Sequence, residues 1–358
     1  MRSRRRSRHS CGRNRCSHCE HSWAIVSRSF DRFLFSRRGL GIITLAGLFL
    51  VLVWAWVPAE IDPDCSLGEN GAWISVDWTS EPVDQAAVEQ LAHKATAYQL
   101  DTLLPFVTYV KADGSFSRSY DHAVEFVSVF RQCSRETRLL AWIGIPLRND
   151  GGLGVAGWVD LSKAVERRRI VEFVIRLLME ADFDGVHLDA ETVGNHNPAF
   201  LLLLDEIRAA IGPSRMLSVA GNDWRPRWVN SLPVVGGYKW DGDYYRQVGQ
   251  RVDQVAVMSY DSLMPHPALY RLWMREQVRG ISKSLSGLET ELLFGLSVSR
   301  EETTTHRPQA ENMGSGLAGI CAGLSRPSKK SHAADGVAIY AAWEANEADW
   351  RLWQAWLR

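Results

Sequence analysis

Eight strand-like stretches alternate with eight helix-like ones along this chain, and that alternation constrains the fold more than any other feature. The strand candidates are 72–77, 102–108, 138–144, 183–189, 215–220, 253–259, 291–297 and 336–341. The helix candidates fall after them, at 83–98, 121–134, 161–181, 197–211, 241–250, 268–286, 308–324 and 346–357. The clearest helix is 161–181, where Ile170, Val174, Leu177 and Leu178 recur at helical spacing. Strictly alternating elements predict a parallel sheet covered by helices. Eight repeats in the roughly 290 residues after position 70 suit an α/β fold of the (β/α)8 TIM-barrel type, which needs about 250. Of the 358 residues, 46% are hydrophobic, enough for one large core. No text-level repeat of solenoid type accompanies the alternation.

The N-terminal end reads differently. Residues 1–39 hold eleven Arg, no Lys and two acidic residues; of the 41 basic and 41 acidic side chains, 30 and 39 remain for 40–358. The head is therefore cationic and the body mildly acidic, which leaves no basic surface for nucleic acid on the body. Residues 40–57, from Leu40 to Val57, carry no charge and are just long enough to cross a bilayer as a helix. Arg37 and Arg38 precede them and Glu60, Asp62 and Asp64 follow. This bias predicts a basic, disordered cytoplasmic head (1–39), a transmembrane signal anchor (40–57) or cleaved signal segment, and a short linker (58–70). The barrel (71–358) would then lie on the extracytoplasmic side, periplasmic or extracellular. A buried core helix is the alternative for 40–57. Trp54 and Trp56 suit an interfacial belt and favour retention of the segment. Cys11, Cys16 and Cys19 lie among His9, His18 and His21, but no second Cys-x-x-Cys pair follows, and no metal is expected. Cys65, Cys133 and Cys321 are dispersed; their odd number leaves at least one free thiol, and nothing points to a disulfide framework.

In a barrel, chemistry gathers at the C-terminal ends of the strands. The fourth strand, Phe183-Asp184-Gly185-Val186-His187-Leu188-Asp189-Ala190-Glu191, has the richest end. Alternation puts Gly185, His187, Asp189 and Glu191 on one face and Val186, Leu188 and Ala190 on the other. The apolar set suits the surrounding helices, so the polar set points into the barrel. Two carboxylates and an imidazole are costly there unless paired and used. A buried acid next to another carboxylate has its pKa raised, as a general acid at neutral pH requires. His187, below, is placed to donate to Asp189. A structural polar cluster in the barrel floor is the bland alternative.

The stretch 184–191 resembles the Asp-x-x-Asp-x-Asp-x-Glu signature of glycoside hydrolase family 18, the chitinase-like enzymes. Asp184, Asp189 and Glu191 match its first Asp, third Asp and Glu; His187 stands where the family has its second Asp. Val257-Met258-Ser259-Tyr260-Asp261 is similar to the family's Met-x-Tyr-Asp, and Tyr340-Ala341-Ala342-Trp343-Glu344 falls where the family keeps a Trp under the reactive sugar. The resemblance implies hydrolysis of an N-acetylated glycan with retention, by a substrate-assisted route outside the usual two-carboxylate scheme. Glu191 would then protonate the glycosidic oxygen, Asp189 would hold the acetamido N–H, and Tyr260 would bond the acetamido oxygen. Asp261 would orient the same sugar and Trp343 would stack on it. His187 in place of Asp implies an altered pH optimum or substrate preference.

Other residues are candidates on position alone. Trp78 ends the first strand beside Asp77, and Asn222, Asp223 and Trp224 follow the fifth; both groups sit where sugar hydroxyls would be bound. Trp142 and Trp240 also fall near strand ends, where core packing and sugar stacking compete. The loop 301–308 is polar enough to reach substrate or to be simply solvated. Gly151, Gly152 and Gly154 lack the strand-to-helix context of a phosphate loop, so no nucleotide or other cofactor is expected. The chain is expected to act as a monomer on an oligo- or polysaccharide. Two rivals remain: a non-catalytic sugar-binding barrel, and a glycosidase using ordinary paired carboxylates on a non-acetylated glycan.

Overall fold

The computed structural model describes residues 59–148, 157–230, 239–324 and 334–358, with isolated positions between 44 and 50. The basic head, its Cys/His cluster and most of 40–57 lie outside the described residues. Among those that are described, no helix is long and apolar enough to cross a membrane. The chain divides into two units, Met1–Trp56 and Val57–Arg358, and everything below concerns the second.

Eight parallel strands close into a barrel in sequence order: β1 (Asn70–Ile74), β2 (Leu100–Tyr109), β3 (Arg138–Pro146), β4 (Gly185–Glu191), β5 (Met216–Gly221), β6 (Gln254–Val257), β7 (Glu291–Ser297) and β8 (Gly336–Tyr340). The ring closes where Gly71 of β1 pairs with Ala338 of β8. After each strand comes a helix: α1 (Gln85–Ala97), α2 (Ala123–Cys133), α3 (Ala164–Glu180), α4 (Pro198–Ile211), α5 (Gly242–Gly249), α6 (Pro267–Ser284), α7 (Met313–Leu324) and α8 (Glu347–Trp356). All eight expected helices are present. Several start where the sequence supplies a cap. Asp84 accepts from two amides of α1, Asn197 does so ahead of Pro198 in α4, and Asn346 forms a capping box with Asp349 in α8.

Apolar side chains sort into two clusters. The larger lies between strands and helices and takes Val186, Leu188 and Ala190 from β4, with Phe173, Val174 and Leu177 from α3. The smaller fills the barrel interior with Trp73, Leu104, Leu140, Ala256, Leu293 and Ala338. Each fully buried side chain of this size contributes about 1.5–3 kcal/mol, so the two layers dominate the fold's stability.

The barrel floor contains a fourfold device. Just before or within the first turn of each even strand, an aspartate accepts the first or second amide of the preceding odd strand. Asp101 takes Asn70 N at 3.0 Å, Asp184 takes Leu139 N at 2.6 Å, Asp253 takes Leu217 N at 2.7 Å and Asp335 takes Leu292 N at 2.7 Å. Arg131 pairs with Asp184 and Arg208 with Asp253. The first Asp of the motif on β4 is thus a strand-end clamp far from the mouth. Its textual echoes are Asp184-Gly185-Val186, Asp253-Gln254-Val255 and Asp335-Gly336-Val337.

Two sequence expectations change at the periphery. The first strand ends at Ile74, and Asp77–Ser80 turns into a short helix because Ser75 Oγ and Asp77 bond each other and the turn closes on Val76. Cys65 and Cys321 form a disulfide with Cα atoms 5.5 Å apart, which pins the segment before β1 to α7 and leaves Cys133 as the free thiol among the described residues.

Candidate active site

A cavity of about 420 Å³ opens at the C-terminal mouth of the barrel. Strand β4 delivers Asp189 and Glu191 to it, one pleat apart on the inner face, as alternation requires. Tyr260 and Asp261 reach it from the loop after β6. Gly295 on β7 makes room for Tyr260: a Cβ there would stand 2.6 Å from Val257 O and 3.0 Å from the tyrosine ring. Tyr260 stacks on Tyr340 at the end of β8, with centroids 4.5 Å apart and planes 9° from parallel. Trp73 meets both rings edge-on, at 6.4 and 5.9 Å. These three rings form the aromatic wall of the cavity.

Asp189 is the central group. Trp142 on β3 donates its indole N–H to Asp189 Oδ2 at 2.9 Å. The other oxygen, Oδ1, is buried and has no hydrogen-bond partner. A buried carboxylate oxygen is costly unless a hydrogen-bond donor meets it, and the protein supplies none to Oδ1. Burial, then the neighbouring Glu191, pushes the Asp189 carboxyl up; the Trp142 N–H opposes this. Burial and then Asp261 push Glu191 up as well. The two acids therefore hold protons above the ordinary carboxylate range.

His187 does not do what position suggests. It is completely buried and is not among the residues that line the cavity. Trp73 Nε1 donates to His187 Nε2 at 3.2 Å, and His187 Nδ1 meets Ser218 Oγ at 2.8 Å. An indole can only donate, so Nε2 is the acceptor and Nδ1 carries the proton. Ser218 Oγ then donates to Gln254 Oε1 at 2.8 Å, Gln254 Nε2 to Glu291 at 3.0 Å, and Arg138 closes the row on Glu291 at 2.7 Å. Burial alone pushes the imidazole down to about 3, so it is neutral. The expected bond from His187 to Asp189 is absent because both ring nitrogens are taken.

Three expected aromatic contacts also move. Trp78 lies in the helical turn after β1 and packs on Phe126, 5.9 Å between centroids. Trp224 fits against α6, where a Cβ at Gly280 would stand 2.4 Å from its ring. Trp343 is 48% exposed and stands edge-on to Tyr340 at 6.0 Å, outside the lining. Trp73 and Tyr340 occupy the wall instead. Trp240, another aromatic near a strand end, is core: it is fully buried and its N–H goes to Val193 O at 3.0 Å.

The cavity's far side is polar. Asn222 and Asp223 line it after β5, and Lys239 forms an ion pair with Asp223. Thr305 brings the loop after β7 to the rim. Behind that loop Asp261, His306 and Glu311 hold ligand-type atoms within 4.8 Å of one another. Both Glu311 oxygens already accept from Asp261 N, Ser262 N and Oγ, and His306 Nδ1. Protons account for this cluster, and we assign it no metal.

The family comparison agrees with this geometry. The profile of Glycosyl hydrolases family 18 matches residues 99–350, well over half of the chain. The chain belongs to glycosyl hydrolase family 18. No curated protein sequence matches it. Among solved structures it is similar to the spore cortex-lytic enzyme SleL of Bacillus cereus, with 13% identity, TM-score 0.52, and 82% of this chain and 75% of that one covered. It is likewise similar to a class V chitinase of Pseudomonas fluorescens Pf-5, with 14% identity, TM-score 0.53 and 81% and 100% coverage. A chitinase of Rhizomucor miehei gives 14%, 0.53, 81% and 99%. At such identity these likenesses establish the shared fold; the family match makes this family-18 chain a chitinase-like glycosyl hydrolase.

Proposed function

We propose that this family-18 hydrolase cleaves an N-acetylated glycan with retention, the substrate's own acetamido group acting as nucleophile. The observation that carries the reading is the buried Oδ1 of Asp189, without a partner in the protein, on a residue that lines the cavity one pleat below Glu191. An acetamido N–H is the donor that such an oxygen lacks. The structures of chitinases with this fold support the substrate class.

The proton inventory follows from the hydrogen bonds. Trp142 donates to Oδ2, which favours Oδ1 as the site of a proton on Asp189. A substrate N–H arriving at Oδ1 favours the ionised form, and the proton then belongs on Glu191. Glu191 gives it to the glycosidic oxygen as that bond breaks. The acetamido oxygen attacks the anomeric carbon, and the positive charge spreads over an oxazolinium ring next to the Asp189 carboxylate. Water, losing a proton to Glu191, opens the ring with overall retention. The Tyr260 hydroxyl is held protonated by burial and is placed to bond the acetamido oxygen, with Asp261 beside it. Trp73 and Tyr340 supply the aromatic faces for the sugar ring.

We place the barrel outside the cytoplasm, anchored through 40–57. The uncharged run, its Arg-rich leading side and acidic trailing side support this. So does the Cys65–Cys321 disulfide, since such bonds persist in oxidising compartments.

The test is turnover of chromogenic N-acetylchitooligosaccharides against their de-acetylated counterparts, with Glu191→Gln as control. The reading expects cleavage of the acetylated series only, and a loss of about 10²–10⁴-fold in kcat for Glu191→Gln with oligosaccharide binding retained. Turnover of de-acetylated substrates alone would replace it with a two-carboxylate mechanism, and binding with no turnover would make the chain a lectin.

A further inference from the structure

Helices α6 and α7 flank a segment whose conformation needs an explanation. After β6 the chain passes through left-handed backbone at Asp261, φ 57°, and again at Leu263, φ 64°. Residues with a side chain rarely adopt it, and such strain persists only where the surroundings hold it. Here the strained residues carry Asp261 to the cavity.

What holds them is Glu311, only 1% exposed, just ahead of α7. Its Oε2 accepts Asp261 N at 2.8 Å, and its Oε1 accepts Ser262 N at 3.0 Å and Ser262 Oγ at 2.7 Å. A buried carboxylate with amide donors alone would be poorly compensated. His306, 3% exposed, completes it: Nδ1 lies 3.0 Å from Glu311 Oε2, while Nε2 lies 3.3 Å from Ser299 O. Both partners accept and neither donates, so both ring nitrogens carry protons and the ring is an imidazolium. The groups facing it agree. Glu311 lies ahead of α7 and Asp261, 3.7 Å away, on the loop after β6; Tyr270 on α6, kept neutral by burial, is bonded to Ser259 O. The Glu311 hydrogen bond is the first cause that pushes His306 above its ordinary value. The same loop contributes Thr305, whose carbonyl takes Leu263 N at 3.1 Å.

We propose that His306 and Glu311 are positioning residues: a buried ion pair that clamps the Tyr260–Asp261 limb in its cavity-facing conformation and ties it to the loop bearing Thr305. The clamp itself stands on geometry. Its effect on turnover rests on the hydrolase reading above.

The test uses the full chain and two readouts. In His306→Asn and in Glu311→Gln, amide exchange at Asp261 and Ser262 should quicken about tenfold or more, while Val255 and Val257 of β6 keep their rates. Unchanged rates at 261–262, or acceleration across the whole barrel in both variants, would overturn the clamp. In kinetics on an N-acetylchitooligosaccharide, His306→Asn should lower kcat/KM by about 10–30-fold, and by under about twofold when Asp261→Asn is already present. Losses that multiply would overturn the positioning role. If the wild type turns over no acetylated substrate, the hydrolase reading fails, and the exchange result decides the clamp by itself.

Discussion

Trp142→Phe isolates the one hydrogen bond that the Asp189 carboxyl group makes among the described residues. The variant keeps an aromatic ring against Phe106, now 4.9 Å away and perpendicular, and removes only the N–H at 2.9 Å from Oδ2. Both carboxylate oxygens are then buried without a partner. A hydrogen bond to a charged acceptor is worth about 1.5–3 kcal/mol. That loss falls on the ionised form of Asp189, the form that stabilises the oxazolinium in the proposed mechanism, so kcat should drop by roughly 10–150-fold at 1.4 kcal/mol per decade. The pH dependence has a defined sign. In the proposed mechanism the productive state holds one proton on the Asp189–Glu191 pair, with Asp189 ionised. Trp142 lowers the Asp189 pKa; without it the pair takes its second proton more readily, and the acid limb of the kcat/KM profile moves to higher pH. The measurement is a profile from pH 4 to 9 on a chromogenic N-acetylchitobioside. An acid limb that stays in place, with kcat within about twofold of wild type, a change under about 0.5 kcal/mol, would refute the claim that this N–H sets the state of Asp189.

Further expectations follow from the same geometry. Asp189 is pushed up to about 8 by burial and then by Glu191. Its folded pKa exceeds the unfolded one, so the folded state binds more protons between about pH 4 and 8 and loses stability as pH rises through that window. Asp189→Asn should therefore raise Tm more at pH 8 than at pH 5; an equal shift at both would remove the linkage. Trp73→Phe keeps a ring in the wall but strands His187 Nε2, costing about 1–3 kcal/mol of stability. Trp343→Ala should leave KM within about threefold, because its ring lies outside the cavity lining; a larger rise in KM would return the wall to Trp343. His187→Asp places a carboxylate one pleat below Asp189, and repulsion should move the alkaline limb upward; an unchanged limb would show that residue 187 is electrically silent to the pair.

Much of the fold was legible because it rests on local rules. Apolar alternation assigned Val186, Leu188 and Ala190 to the outer layer, and the structure puts them there. Helix positions followed from periodicity and from caps such as Asn197-Pro198. The ends of strands were harder, and the cost fell on the site. Extending the first strand to Asp77 put Trp78 at the mouth. The strand stops at Ile74, and Trp73 is the wall residue. Tyr340 was read only as a neighbour of Trp343, although it is the last residue of β8 and so its natural cavity residue. Glu311 and His306 were out of reach for another reason. They meet the β6 loop across 50 and 45 positions of sequence, and no spacing rule relates them. The Cys65–Cys321 bond spans 256 residues and is invisible for the same reason.

The His187 departure shows how a motif residue can change chemistry without breaking the barrel. An imidazole beneath Asp189 reads in sequence as a possible proton partner for it. In the fold, the partners on neighbouring strands decide otherwise. Trp73 from β1 can only donate, so it fixes the tautomer; Ser218 and Gln254 then have no freedom in the direction of their protons, down to Glu291 and Arg138. A ring bound at both nitrogens and neutral by burial can neither give Asp189 a proton nor take one. Two consequences follow together. The imidazole holds Trp73 in the cavity wall, so the residue acts on the shape of the cavity. In the proposed mechanism the proton for the glycosidic oxygen is then shared by Asp189 and Glu191 alone, which gives Trp142, whose indole donates to Asp189, more influence on that chemistry than the motif position below it.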